Sequence, residues 1–326
     1  MARKLGNNSA REFYLLGALG LDLPGAIIAK SASALSGDFN DLMHSNTGTA
    51  GLLRFSLAGV QLKFSAIAES RGTFTITADG AGGSWVVKLP SERHQQVPEA
   101  EYSMLSLAKK VGIEVPEFKL VATNSIEGLP KEFQNITADS LAVKRFDRTI
   151  SGARLHMEDF AQVYGVYPQD KIEKAGYAHI ARVLWAEADE ASYCEFVRRL
   201  VFTIAIGNGD MHLKNWSLLY SNPQKPALSP AYDFVPTISY IQNDSLALNL
   251  GGTKNFFDIT AEKFNKMAMA ARAPEKLTSR IVQESIERIR TEWANSRFDL
   301  LLPESIMRDI DTHMSKLLLF KAKRAR

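Results

Sequence analysis

The stretch that decides the fold of this chain is Gly207-Asn208-Gly209-Asp210-Met211-His212-Leu213-Lys214-Asn215-Trp216-Ser217, and Ser229-Pro230-Ala231-Tyr232-Asp233-Phe234 completes it. Both are short polar interruptions of apolar sequence, and together they supply two carboxylates, an amide and a lysine. Phosphoryl transfer needs an acid that accepts a hydroxyl proton, an amide oxygen five residues later for Mg²⁺, and a second acid that bridges metal and phosphates. Asp210, Asn215 and Asp233 meet these needs in order, which predicts a catalytic base at Asp210 and metal ligands at Asn215 and Asp233.

The sequence on either side predicts how these residues come together. Apolar residues at helical spacing lead up to the glycine pair and predict a helix that ends at Gly207: Tyr193, Phe196, Val197, Leu200, Val201 and Ile204. A strand over 216–220, a turn-rich segment over 221–226 and a return before Ala227 predict a hairpin that brings Asp233 back towards Asn215. The alternative is that the glycine pair only terminates a helix and that Asp233 is an ordinary acid at a strand end.

Length and composition limit the class of protein. The 326 residues are enough for two lobes, and 45% hydrophobic with 23% charged residues is ordinary for a folded protein. No apolar run is long enough to predict a membrane span, and the basic N-terminus lacks the apolar run of a secretory signal, so we expect a cytoplasmic protein. The single cysteine, Cys194, excludes a disulfide within the chain, and a net charge of +3 does not by itself indicate nucleic-acid binding.

The order of predicted elements indicates an α+β protein with a two-lobed, protein-kinase-like fold. Residues 61–68, 73–78 and 84–89 predict three strands of a small antiparallel sheet, and helices dominate from Tyr177 onward. We therefore expect a β-rich N-terminal lobe over residues 1–145 and a largely helical C-terminal lobe over 146–326.

A kinase also needs a cation on the phosphates, and Lys88 is the candidate. It lies in the predicted strand over 85–89, which Pro90 ends. Glu101 lies on an otherwise apolar helical face, where a carboxylate needs a partner, so we predict a Lys88–Glu101 ion pair of the kind that protein kinases use. The alternative is two solvated charges.

The turn that enters the first strand is a second candidate for phosphate binding. Small residues around Gly59 would allow backbone N–H groups to approach phosphate oxygens. Lys63 alternates with Leu62 and Phe64, so it is either a phosphate-binding residue or an exposed strand lysine.

These segments, taken in order, resemble the successive motifs of the HipA family of serine/threonine-kinase toxins. The motifs are Ser56 to Lys63, Val87 to Pro90, Glu101-Tyr102, Lys144 to Arg148, Asp210 to Asn215 and Tyr232-Asp233. The resemblance spans roughly residues 10 to 320 and implies ATP and Mg²⁺ as cofactors. It also implies phosphorylation of a protein serine, typically on an aminoacyl-tRNA synthetase, which halts translation. The implied partner is a small HipB-like DNA-binding antitoxin, so that DNA would be contacted only through it, and no membrane is implied.

The resemblance also assigns roles by position. Asp210 would be the catalytic base, Asn215 and Asp233 the metal ligands, and Lys88 with Glu101 the phosphate lysine and its partner. Adenine would contact the hinge, Lys144 to Phe146, and the segments 60–65 and 212–215 would line the nucleotide. The implied ATP-binding residues are Gly59, Val60, Gln61, Lys63, Lys88, Glu101, Lys144, Arg145, Phe146, His212, Lys214 and Tyr232.

Two departures from the family pattern lead to further expectations. The family's loop often carries a self-phosphorylated serine directly before the glycine; that position is Ala58 here, which leaves Ser56 as the candidate autophosphorylation site. The chain also begins late relative to the long family members, so we expect a short form similar to HipT, in which a separate HipS-like protein supplies their small N-terminal domain.

Two other classes of function remain open at this point. A small-molecule kinase that acts on a sugar or an alcohol would use the same Asp, Asn and Asp set. A non-catalytic pseudokinase or corepressor partner of a DNA-binding protein is the other alternative, against which the complete set of Lys88, Glu101, Asp210, Asn215 and Asp233 argues.

Overall fold

The computed structural model describes residues 16, 20–30, 62–69, 72–76, 82–91, 94, 96–166 and 175–321. The chain divides into two compact units, residues 1–98 with 117–156 and residues 99–116 with 157–326. The predicted boundary between residues 145 and 146 stays a prediction. In the described part of the chain, no helix is long and apolar enough to cross a membrane.

The first unit is built on a five-stranded antiparallel sheet. Its strands are β1 (Lys63–Ala68), β2 (Phe74–Ile76), β3 (Trp85–Lys88), β4 (Phe118–Ala122) and β5 (Asp139–Lys144), in the spatial order β2-β1-β3-β5-β4. The three predicted strands are confirmed. β2 and β3 both pair with β1 and not with each other, and sequence reasoning did not identify β4 and β5.

One face of this sheet forms the hydrophobic core of the first unit. Alternate residues of β1 and β3, including Phe64 and Val87, are buried there with Phe74 and Trp85, whose rings meet edge to face at 5.3 Å. Because side chains alternate across a strand, Lys63 and Lys88 lie on the opposite face. The alternation of side chains along β1 and β3 therefore places the core residues on one face of the sheet and the two lysines on the other.

The second unit is mainly helical. Its helices are α1 (Val97–Lys110, which begins in the first unit), α2 (Phe160–Val163), α3 (Tyr177–Glu187), α4 (Glu190–Ile206), α5 (Ala261–Ala271), α6 (Glu275–Ser296) and α7 (Glu304–Lys316). A three-stranded sheet of β6 (His156–Asp159), β7 (Ser217–Asn222) and β8 (Lys225–Leu228) accompanies them, in the order β6-β7-β8.

Helix α4 is the centre of the second unit and delivers the chain to the candidate site. Asp189 caps its first turn by accepting a hydrogen bond from the Ser192 N–H at 2.8 Å. Every residue from Arg199 to Ile206 is buried, and the buried His313 of α7 contacts the Ile204 carbonyl oxygen through Nε2 at 2.8 Å. A helix held this firmly provides a rigid support for the loop that follows it.

Candidate active site

The loop that carries Asp210 begins where the sequence predicted, at Gly207. This residue caps α4 in the left-handed conformation with a φ of 66°, and its N–H donates to the Ile204 carbonyl at 3.3 Å. A Cβ at this position would come within 2.6 Å of the Ile238 side chain. Glycine is thus required both by the backbone angle and by the packing.

Asn208 links the two acidic segments of the site. Its side-chain nitrogen Nδ2 donates to the carbonyl oxygen of Asp233 at 3.0 Å, and its Oδ1 accepts from the Asp210 N–H at 3.1 Å. The backbones of Asp210 and Asp233 are therefore joined through one planar amide.

The carboxylate of Asp210 is accessible, whereas the residues around it are not. Its side chain is 64% exposed, while His212 is buried with Nε2 at 3.6 Å from Asp210 Oδ1. Asn215 is also buried, and its Nδ2 donates to the Asp210 carbonyl oxygen at 2.8 Å. This bond fixes the orientation of the Asn215 amide, so that Oδ1, the atom able to bind a metal, lies on its other arm.

An aromatic cluster contacts the loop that carries Asp210. The Tyr177 hydroxyl and the Trp216 indole N–H both donate to the Met211 carbonyl oxygen, at 3.1 and 3.3 Å. Trp216 also packs edge to face on Phe196 of α4, with 4.9 Å between ring centroids. Burial raises the pKa of Tyr177 far above its usual value, so the phenol stays a neutral donor.

The segment that ends at Asp233 follows β8 and is anchored at successive residues. The Ser229 carbonyl accepts from the buried Arg199, and the Ala231 N–H donates to the Glu114 carbonyl at 2.8 Å. The Tyr232 hydroxyl donates to the Lys214 carbonyl at 2.9 Å and lies 2.6 Å from the Ser217 hydroxyl. The predicted hairpin is confirmed, and these bonds fix where its return strand leads.

Asp233 itself has an unusual backbone. Its φ of 57° lies in the left-handed region, where aspartate is tolerated at a cost. The next residue, Phe234, is fully buried against Phe202 of α4 at 5.0 Å between centroids. The anchor at Phe234 and the Asn208 bond to the Asp233 carbonyl flank the strained residue and hold its backbone in this conformation.

Lys214 lies near a third acid of the second unit. Burial raises the pKa of Asp159, and the Lys214 ammonium opposes that rise. Asp159 also caps α2 in a reciprocal pair of bonds with Gln162. The Lys214 charge therefore acts on Asp159 in this structure.

The first unit places two of the predicted phosphate ligands side by side. Lys63 of β1 and Lys88 of β3 are directly opposite in the antiparallel register, so their side chains share one face of the sheet. Lys88 is only 4% exposed. The strand register therefore gives this face of the sheet two basic side chains at one position.

The predicted hinge residues lie at the end of β5 and directly after it. Lys144 forms an exposed ion pair with Glu117 at 2.9 Å. Arg145 is buried, and its guanidinium is shared between Asp22 at 2.8 Å and Asp147 at 2.9 Å. Its side chain thus ties the 20–25 segment to the sheet, and a contact of Arg145 with a nucleotide would use the backbone. Phe146, which lies between Arg145 and Asp147 in the sequence, is partly buried.

The remaining predicted residues stay predictions. Ser56, Gly59, Val60 and Gln61 lie outside the described residues. Glu101 is buried on α1 in the second unit, whereas Lys88 belongs to the first, and their predicted ion pair is not tested.

The donor set of the second unit fits Mg²⁺. A carboxylate on Asp233 and an amide oxygen on Asn215 are the hard oxygen ligands that this ion prefers. Among the described residues, no group of three or more His, Cys, Asp or Glu side chains could hold a metal ion. Mg²⁺ is usually bound by one or two protein ligands together with water and phosphate, which this pair would allow.

Sequence reasoning missed the residues that hold the site together. Asn208 lies between two glycines, which is typical of a turn with a hydrogen bond from a side chain to the backbone. The sequence gives no indication that its partner is Asp233. Thr237, whose hydroxyl accepts from the Gly209 N–H at 2.6 Å, has no recognisable signal in the sequence.

Comparison with known proteins identifies the family. The HipA-like C-terminal domain family matches residues 55–293. The Sinorhizobium fredii protein named "Putative kinase Y4dM" is 44% identical over 324 residues, which cover 98% of this chain and 79% of that protein. A second protein of the same organism, "Putative kinase Y4mE", is 27% identical over 83% of this chain and 68% of its own length. The chain belongs to the HipA-like kinase family.

A solved structure supports the same fold. HipA in the complex of the Shewanella oneidensis MR-1 toxin-antitoxin system with HipB and operator DNA aligns with a TM-score of 0.69. The alignment covers 97% of this chain and 79% of that one at 21% identity. The expected α+β, kinase-like fold is confirmed.

Proposed function

We propose that this protein is an ATP- and Mg²⁺-dependent serine/threonine-protein kinase. The observation that carries the proposal is the hydrogen-bonded unit of Asp210, Asn215 and Asp233, in which Asn208 and Asn215 hold the Asp210 backbone at its N–H and its carbonyl. These are the residue types that phosphoryl transfer needs, and they lie in the order in which kinases use them.

The proposed mechanism gives each residue of the second unit one task. Asp210 accepts the proton of the attacking hydroxyl, and its exposure leaves room for that hydroxyl. His212, buried beside it, restricts the carboxylate from one side. Asn215 and Asp233 would hold Mg²⁺, which when bound neutralises charge on the phosphates.

The first unit would contribute positive charge. Lys63 and Lys88 would bind phosphate oxygens from the sheet face that they share, since an ammonium group attracts the negative charge of a phosphate. The backbone near Gly59, Val60 and Gln61 and the segment Lys144 to Phe146 would complete the ATP site. The roles of Glu101 as partner of Lys88, and of His212, Lys214 and Tyr232 as nucleotide-lining residues, belong to the same proposal.

The biological role that we propose is that of a cytoplasmic toxin in a toxin-antitoxin system. Its partner would be a HipB-like DNA-binding protein, as the Shewanella complex of HipA, HipB and operator DNA suggests by family relation, and DNA would be contacted only through that partner. The substrate would be a protein serine, on an aminoacyl-tRNA synthetase, so that phosphorylation inhibits translation. A HipS-like protein is a possible further component.

Autophosphorylation at Ser56 would regulate the kinase. A phosphate of about −1.5 to −2 charges in a phosphate-binding loop would repel the phosphates of ATP. Ser56→Ala should therefore abolish self-inactivation. Phosphate found by mass spectrometry only elsewhere in the chain would contradict this part of the proposal.

A labelling experiment tests the central proposal. The purified protein is added to a cell lysate with ATP labelled at the γ-phosphate, alongside the Asp210→Asn variant. We expect a labelled protein band with the wild type only, which mass spectrometry then identifies. Label that appears in small molecules would indicate a sugar or alcohol kinase, and no transfer at saturating Mg·ATP would indicate a pseudokinase.

A further inference from the structure

Both ends of the Asn208 side-chain amide bond to the two acidic segments of the site. The residue is 0% exposed, so both ends of its amide need partners. The nitrogen donates to the Asp233 carbonyl and the oxygen accepts from the Asp210 N–H, at 3.0 and 3.1 Å. The first bond joins residues 25 positions apart in the sequence, and the second joins residues two apart.

We infer that Asn208 is a positioning residue that sets the spacing between the catalytic base Asp210 and the metal ligand Asp233. The inference rests on the proposed function and adds a specific residue to it. Asn208 acts through the backbones of its two partners, so it directs where both carboxylates point. The rigid geometry of one amide group fixes the distance between the bonded N–H and the bonded carbonyl.

The rest of the turn cannot compensate for the loss of this link. The Gly209 N–H is bonded to the Thr237 hydroxyl, and a Cβ at Gly209 would meet the Asp244 carboxylate. On the other side, Asp233 is held in the left-handed region with a φ of 57°, a conformation that persists only where surrounding contacts enforce it. Release of its carbonyl would allow the backbone of Asp233 to relax.

Asparagine is the residue that satisfies both bonds at this length. Aspartate keeps the acceptor for the Asp210 N–H, but it offers a carboxylate oxygen to the Asp233 carbonyl, where a donor is required. Serine has one short hydroxyl and cannot span both partners. Asn208→Asp is therefore nearly isosteric and removes one defined interaction.

The test compares Asn208→Asp with a matched control, Asn222→Asp. Asn222 is the last residue of β7, directly before the turn to β8, and its Oδ1 accepts from the Gln224 N–H at 2.9 Å, a role that aspartate keeps. Both variants replace a side-chain amide by a carboxyl group. Protein phosphorylation is measured as a function of ATP and of Mg²⁺, and cooperative thermal unfolding establishes that each variant is folded.

We expect the Asn208→Asp variant to lose about 100-fold in kcat, because a small displacement of reacting groups has an effect of that order. The Mg²⁺ concentration for half-maximal rate should rise about 10-fold, since loss of a residue that orients a metal ligand weakens metal binding by that much or more. The KM for ATP at saturating Mg²⁺ should change far less than kcat. A merely structural role would leave the Mg²⁺ requirement unchanged.

The outcomes separate this inference from the proposed function. If the wild type transfers no phosphate to protein, the proposed function fails. If the wild type is active and a folded Asn208→Asp variant keeps its kcat and Mg²⁺ requirement, or Asn222→Asp loses as much, the inference is overturned. If Asn208→Asp does not fold, the same criteria of kcat and Mg²⁺ requirement apply to Asn208→Ser.

Discussion

Replacement of Asp210 by asparagine should remove the rate of phosphate transfer and leave the fold unchanged. The bonds that hold the loop use the backbone of Asp210, through its N–H to Asn208 and its carbonyl to Asn215, and asparagine keeps both. The carboxylate is 64% exposed, so we expect the free energy of unfolding to change by about 0.5 kcal/mol or less.

The expected loss of rate is much larger. A general base contributes about 10²- to 10⁴-fold, or roughly 3–5 kcal/mol of transition-state stabilisation. Nucleotide affinity should fall much less, because the proton is transferred only in the reaction itself. Asp233→Asn should lower both the rate and the affinity for Mg·ATP, since the same carboxylate would hold the metal.

The assay is steady-state phosphorylation with each purified variant, together with calorimetric ATP binding and thermal unfolding. Asp189→Asn is the matched control. It removes a carboxylate from the N-cap of α4, the helix that precedes the Asp210 loop, and asparagine is an equally good cap. Wild-type transfer rates in both Asp210→Asn and Asp233→Asn would refute the assignment. So would a loss of rate accompanied by an equal loss in the Asp189→Asn control.

Three further predictions concern binding and stability. Saturating Mg·ATP should raise the unfolding temperature by mass action, and Lys88→Met should reduce that rise. Thermal unfolding with and without Mg·ATP measures both shifts, and an equal shift in the two proteins would contradict the assignment of Lys88 to the ATP site. Tyr232→Phe should lower the free energy of unfolding by about 1–3 kcal/mol, because it removes the hydroxyl that lies 2.9 Å from the Lys214 carbonyl and 2.6 Å from the Ser217 hydroxyl. Equal urea midpoints for the wild type and the variant at neutral pH would contradict this. Burial lowers the pKa of His313 below its ordinary 6.5, with Lys316 lowering it further and Asp244 opposing, so the unfolded chain binds the proton more strongly. The stabilisation from His313 should therefore be complete above about pH 6.5 and decline as the pH falls through the lower pKa of the folded state. Denaturation curves between about pH 5 and 7 test this, because His313→Gln should flatten the dependence of the free energy of unfolding on pH that the wild type shows.

The local features of the site could be predicted from the sequence because short-range chemistry determines them. The apolar periodicity before Gly207 and the turn residues after Tyr220 specify a helix end and a hairpin wherever the segment lies. Lys88 could be assigned to a strand because Pro90 ends it. These signals act over a few residues, and the structure confirms the elements that they predict.

The features that tertiary structure alone decided are contacts between distant residues. Strands β4 and β5 were not identified from the sequence, and β5 has its place between β3 and β4 only through pairing. Arg145, a predicted hinge residue, has its side chain bonded to Asp22, 123 positions away, which no spacing rule could show. The opposed pair of Lys63 and Lys88 depends in the same way on the register of two strands.

The composition of the site was thus determined by the sequence, and its geometry by the fold. Residue type limits the chemistry that a side chain can perform, so Asp210, Asn215 and Asp233 indicate phosphoryl transfer before any coordinate is known. The bond from Asn208 to Asp233 crosses 25 residues, and such a contact forms only when α4, the hairpin and Phe234 are packed together. A side-chain amide can bond to any backbone group that the fold brings close to it, so the sequence around Asn208 does not predict its partner Asp233.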